Sequence, residues 1–155
     1  MSQAINFFTE DISYTLKEKA HIRRWVKETI VYEGKTLKEL NFILCSDNYL
    51  LEINQQYLKH DTFTDIVTFD NSEIPNAISG DIFISIERVK ENAAKYKTSE
   101  RDELHRVIIH GTLHLIGYKD KTKAHKALMT NKEDQYLVLR QFWSSRLLFH
   151  RNINY

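Results

Sequence analysis

A chain of 155 residues, 42% of them hydrophobic, is long enough for one domain around a single core. Its formal net charge of +1 gives no whole-protein field that would draw in nucleic acid or an acidic partner, so anion binding must come from local clusters. No stretch approaches the roughly 20 apolar residues of a membrane helix, the N-terminal residues lack the basic segment of a secretory signal, and the single cysteine, Cys45, excludes an internal disulfide; a reducing, cytoplasmic setting without a membrane partner is expected.

In chain order, Asn6 to about Ser13 predicts a first strand. Leu16 to about Tyr32 predicts a helix, because Leu16, Ala20, Ile22, Trp25, Val26, Ile30 and Val31 recur near helical spacing and Gly34 supplies a stop. The cations Lys17, Lys19, Arg23, Arg24 and Lys27 of this stretch read as its solvated face. Leu40 to Cys45 predicts a strand in which Cys45 is a small core thiol, and Ser46 or Asp47 then caps a helix carrying Leu50, Leu51, Ile53, Asn54 and Tyr57. The β-branched and aromatic run Thr64–Phe69 is a strand, Asn71 to Gly80 a loop, and Asp81 to Ile86 a strand apolar enough for burial on both faces. A helix from about Glu87 to Tyr96 follows, then one opened by Ser99, with Leu104, Val107, Ile108 and Leu113 on its core face; Lys123 to Phe149 is one long helix or two. With one proline, four glycines and no repeat, the pattern predicts a single α/β domain over residues 1–155, with a small sheet of about four strands flanked by helices.

The helix opened by Ser99 carries His110 and His114, and residues at i and i+4 share one face with β-carbons about 5–6 Å apart. Gly117 lets the chain leave that helix through a positive-φ residue, so that Asp120 can return as a third ligand. Three nitrogen or oxygen ligands with a fourth position open are the layout of a catalytic zinc site. His125 and Asp134 are further choices for the third ligand, Asp120 needing no added assumption about packing; His105 is turned away around the helix, and His21 and His150 have no constellation around them. The spacing equals that of a metzincin, yet Gly111 stands where zinc peptidases keep a glutamate base, which argues against a peptidase. Lys119, Lys121, Lys123 and Lys126 follow the motif and border the expected metal.

The stretch His110-Gly-Thr-Leu-His114-Leu-Ile-Gly117-Tyr118 resembles the H-G-x-L-H-L-x-G-Y-D-H signature of the bacterial YbeY proteins, single-strand-specific metallo-endoribonucleases of ribosomal RNA maturation. Upstream, Asn54-Gln-Gln-Tyr57, Thr64-Asp65-Ile-Val-Thr-Phe69 and Gly80-Asp81-Ile-Phe-Ile-Ser85 resemble further motifs of that family in the same order. The resemblance implies a small mixed sheet with a zincin-like metal-site helix and one zinc ion (Zn2+) at His110, His114 and Asp120. It also implies hydrolysis of single-stranded ribosomal RNA, including small-subunit 3′-end processing and ribosome quality control, with the ribosome and its proteins as partners. Two positions depart from the family: Asp120 replaces the usual third histidine, and Leu58 replaces an arginine, leaving Lys59 or His60 as substitutes at the catalytic site. Lys119, Lys121 and Lys123 would attract the RNA backbone, and Tyr57, Phe63 and Tyr118 would stack on its bases. A zinc hydrolase of another substrate, or a non-catalytic ribosome-assembly factor with a structural metal, are the alternatives.

Overall fold

A computed structural model describes residues 4–59 and 63–143. Its elements run β1 Ile5–Glu10, α1 Lys19–Tyr32, β2 Thr36–Cys45, α2 Asp47–Leu58, β3 Ile66–Asp70, β4 Ala77–Ser85, α3 Ile86–Tyr96, α4 Glu100–Ile116 and α5 Lys123–Trp143. The strands form one mixed sheet in the order β1-β2-β4-β3, parallel except where β3 meets β4. The short link 71–76 allows that antiparallel pairing, whereas the parallel pairs need crossovers through a helix.

Period-two alternation in the strands splits the apolar residues between two faces. Leu40, Phe42 and Leu44 of β2 and Ile78, Ile82 and Ile84 of β4 meet Ile22, Trp25 and Ile30 of α1 and Leu104 and Ile108 of α4. On the other face Cys45 and Val67 pack against Leu50 of α2. Burial pushes the Cys45 thiol up to about 12, which suits a core residue and no nucleophile. Helix α5 lies over α1 and α4, tied down where the Trp25 indole donates to the Tyr136 carbonyl at 2.8 Å.

Serine hydroxyls start three of the helices. Ser46, Ser85 and Ser99 accept from the backbone N–H of Tyr49, Arg88 and Asp102 at 3.0, 3.1 and 3.0 Å, each such cap contributing about 1 kcal/mol.

Several boundaries differ from the sequence reading. Strand β1 ends at Glu10 because Asp11 takes a positive φ of 57°. Helix α1 starts at Lys19, after a left-handed Glu18; Leu16 is buried all the same, from the segment before the helix. Strand β4 begins at Ala77, inside the stretch expected to be loop, because its ladder with β2 extends back to Thr36. Strand β3 begins only at Ile66, since the Thr64 hydroxyl bonds to the Ile66 carbonyl at 3.2 Å and holds a local turn. Helix α5 is continuous to Trp143; the rest of the stretch to Phe149 lies outside the described residues.

Candidate metal centre

Helix α4 lies against the sheet at Gly111. A β-carbon there would stand 2.8 Å from Cδ1 of Ile66 and 3.0 Å from Cδ1 of Ile82, so any side chain here would need both isoleucines to give way. This contact faces the sheet and leaves His110 and His114, partly exposed, on the open side of the helix. Their rings sit 4.6 Å apart, centroid to centroid, and nearly perpendicular at 84°.

Gly117 ends the helix at φ 128°, with its N–H on the carbonyls of Leu113 and His114. The chain then folds back, and the Tyr118 N–H bonds to the Leu113 carbonyl at 3.0 Å. The same residue's carbonyl accepts from Nδ1 of His114 at 3.0 Å. Two residues on, Oδ2 of Asp120 comes within 3.2 Å of Nε2 of His110 and 3.1 Å of Nε2 of His114. One ligand atom from each of the three residues lies within 4.8 Å of the others, so the group is placed to hold a metal ion.

Each imidazole is oriented by its other nitrogen, the arrangement that fixes a ligand's tautomer. For His114 the partner is the Tyr118 carbonyl. For His110 it is Glu133 of α5, whose Oε2 accepts from Nδ1 at 2.6 Å. The second oxygen of Glu133 accepts from Arg106 at 2.8 Å, and Arg106 also bonds Asp134 at 2.8 Å. Burial pushes His110 down in pKa, but the Glu133 hydrogen bond and charge outweigh it and hold the ring above its ordinary value.

A cleft of about 620 Å³ opens beside the group, lined by Asp65, Glu103, Arg106, His110, Asp120, Lys126 and Glu133, with Tyr96 and Val107. Burial raises the carboxyls of Asp65 and Glu103, and their mutual repulsion adds to this for Glu103. An acid-lined cleft of this kind repels phosphate until a cation reverses its sign.

Other residues singled out in the sequence fall in separate places. Lys59 is exposed, in left-handed conformation at the end of α2, and His60 lies outside the described residues. Lys119, Lys121 and Lys123 are exposed on the turn and the start of α5. His125 is exposed there too, and Asp134, which is Arg106's second partner, stays outside the ligand group. His105 is buried, accepting from Arg140 at 2.7 Å. Tyr57 and Phe63 are more than half exposed, Tyr57 edge-on to Phe69 and Phe63 beneath the Arg88 guanidinium. Tyr118 is tied instead by its hydroxyl to Glu33, at 2.6 Å. Sequence spacing gave no signal for Glu133, Arg106 or Glu33; Asp65 stood inside a recognised motif without a role.

The chain matches the family model described as Endoribonuclease YbeY over residues 4–140. It is 53% identical to the Endoribonuclease YbeY of Cytophaga hutchinsonii over 90% of this chain and 98% of that one. It is 52% identical to the Endoribonuclease YbeY of Flavobacterium psychrophilum over 85% and 94% of the two chains. A solution structure of a Thermotoga maritima protein aligns with a TM-score of 0.60 at 29% identity, covering 86% of each chain.

Proposed function

Because this chain belongs to the YbeY family of endoribonucleases, we propose that it cuts single-stranded ribosomal RNA at one zinc ion held by His110, His114 and Asp120. It is an RNA-cleaving hydrolase of ribosomal RNA processing. The observation that carries the metal assignment is the convergence of two Nε2 atoms on one Asp120 oxygen, at 3.2 and 3.1 Å. Two imidazole nitrogens with one carboxylate oxygen are a donor set zinc takes, which supports zinc over the cations that seek oxygen ligands alone. Zinc with an open position supplies a Lewis acid for a phosphate oxygen and lowers the pKa of bound water toward neutrality.

The chain's own residues do the rest. Glu133 and the Tyr118 carbonyl keep both imidazoles turned inward. Asp65 lines the same cleft, and its partly buried carboxyl keeps its proton to higher pH than usual, so it is suited to pass one to the departing ribose oxygen. Arg106 is committed to Glu133 and Asp134, whereas Lys126 makes no ion pair among the described residues and is the cleft cation left for a phosphate. Lys119, Lys121 and Lys123, exposed on the turn after the motif and at the start of α5, attract the RNA backbone, and Lys59 or His60 stands in for the family arginine that Leu58 replaces. Exposed Tyr57 and Phe63 offer faces for unpaired bases.

The biological reading is one domain over residues 1–155 that works in the cytoplasm, with the ribosome and its proteins as partners, on small-subunit 3′-end maturation and ribosome quality control. No described helix is long and apolar enough to cross a membrane. A structural metal would be closed by a fourth ligand, and the group among the described residues has three. The test compares wild type with His114→Ala for zinc content and for cleavage of a single-stranded ribosomal RNA fragment. Wild type should hold about one zinc and cut the fragment, the variant neither. Zinc-loaded wild type that cuts no better than the variant refutes the nuclease assignment, and full zinc in Asp120→Ala removes Asp120 from the ligand set.

A further inference from the structure

We infer that Glu33, at the end of α1, is a positioning residue for the metal centre and acts on it through Tyr118. The inference rests on the metal assignment above and adds to it a residue remote in sequence and on another element.

Glu33 caps the C-terminus of α1, and its carboxylate is 10% exposed. It accepts from three donors. The Tyr118 hydroxyl bonds one oxygen at 2.6 Å, while the other takes the Tyr136 hydroxyl and, at 3.3 Å, the Lys132 ammonium. Tyr136 and Lys132 both belong to α5, so they fasten α1 to α5 and would do so without Tyr118. The Tyr118 bond is different, because it reaches into the turn that carries Asp120.

Tyr118 serves that turn twice. Its carbonyl holds Nδ1 of His114, and its position two residues before Asp120 sets where that carboxylate returns. The turn's next residues, Lys119, Lys121 and Thr122, are exposed, and Gly117 enters it at a φ of 128°, which leaves the backbone permissive. Tyr118 is therefore its anchor, pinned at the hydroxyl by Glu33 and at the ring by Lys132, whose Nζ lies 5.5 Å from the centroid. A carboxylate suits this junction: a buried anion is tolerated only when its lone pairs are filled, and here three donors on two elements must converge to fill them. Burial pushes Glu33 up in pKa, but the three donors more than reverse it, which keeps the group ionised.

The experiment is a zinc titration against a chromophoric chelator, with melting temperature and the visible spectrum of the cobalt-substituted protein recorded in parallel. Tyr118→Phe keeps the ring and removes only the hydroxyl. It should weaken zinc binding by about tenfold or more, the usual effect of losing such support, and alter the cobalt spectrum. Glu33→Gln should do the same. Tyr136→Phe cuts a bond to the same carboxylate without touching the turn; it should lower the melting temperature yet keep zinc affinity within about twofold of wild type. Wild-type zinc affinity in Tyr118→Phe overturns the inference. So does equal weakening in Tyr136→Phe, which would make Glu33 a general clamp of the fold. If wild type and His114→Ala bind zinc equally, the metal assignment itself falls, and this inference with it.

Discussion

His105 and His110 lie five positions apart on α4 and are handled in opposite ways. His105 is 2% exposed, packed 5.6 Å from the Trp25 ring, and accepts a hydrogen bond from a cation, Arg140. Burial and the Arg140 charge push it down to about 3, so it is a neutral acceptor at any ordinary pH. His110 is 22% exposed and bonded to an anion, Glu133, which raises its pKa and turns its other nitrogen toward His114 and Asp120. Residue type and helix are shared; the sign of the partner and access to water decide which imidazole holds the fold and which serves the site.

Substitution should separate the two roles most sharply. His110→Ala should lose its metal and at least about a hundredfold in RNA cleavage while melting near the wild-type temperature. His105→Ala should retain zinc but melt several degrees lower, because Arg140 loses its acceptor. Loss of zinc from folded His105→Ala would erase the distinction.

Acid should separate them next. The neutral His105 contributes stability that is complete above the ordinary histidine pKa and is lost as pH falls from about 6.5 toward about 3. Each pH unit in that window costs up to about 1.4 kcal/mol. Urea unfolding of chelator-treated protein at pH 7, 5.5 and 4 measures this, and the non-titrating His105→Gln should show a slope shallower by about one proton. An unchanged slope would mean that His105 already titrates normally in the fold.

Smaller effects belong to the cleft around His110. Asp65→Asn should lower kcat by about a hundredfold with zinc retained, as expected when a proton donor is lost, and should flatten the limb of the pH–rate profile that the carboxyl produces. Lys126→Ala should raise KM a fewfold, leave kcat in place and reduce the salt dependence of RNA binding by about one phosphate contact. If kcat falls instead, Lys126 touches the reacting phosphate.

What the sequence disclosed follows how local each signal is. The His110–His114 pair, the Gly117 exit and the return of Asp120 lie within eleven residues, where helix geometry alone governs. The serines at 46 and 99 were readable as caps for the same reason. Glu133 was not: the sequence offers Asp134 as a ligand, yet which of two adjacent α5 residues faces His110 depends on how that helix is rotated against α4. Glu33 sits 85 residues from Tyr118, and no spacing rule reaches that far. The early start of β4 is likewise non-local, since its first residues become strand by pairing with β2. Leu58 in place of the family arginine was visible at once, but Lys126 as the free cleft cation needed the packing of α5.

The missing side chain at Gly111 also bears on which activities this protein can acquire. Zinc peptidases differ from it at that position by one residue, and a Gly111→Glu exchange is a short genetic step. Yet the new β-carbon would already press on methyl groups of Ile66 and Ile82, so those side chains would have to shift before a carboxylate could be seated there. Gaining the base would first require repacking those two isoleucines of the sheet beneath it. A change of chemistry at this position is thus coupled to the packing of the helix on the sheet.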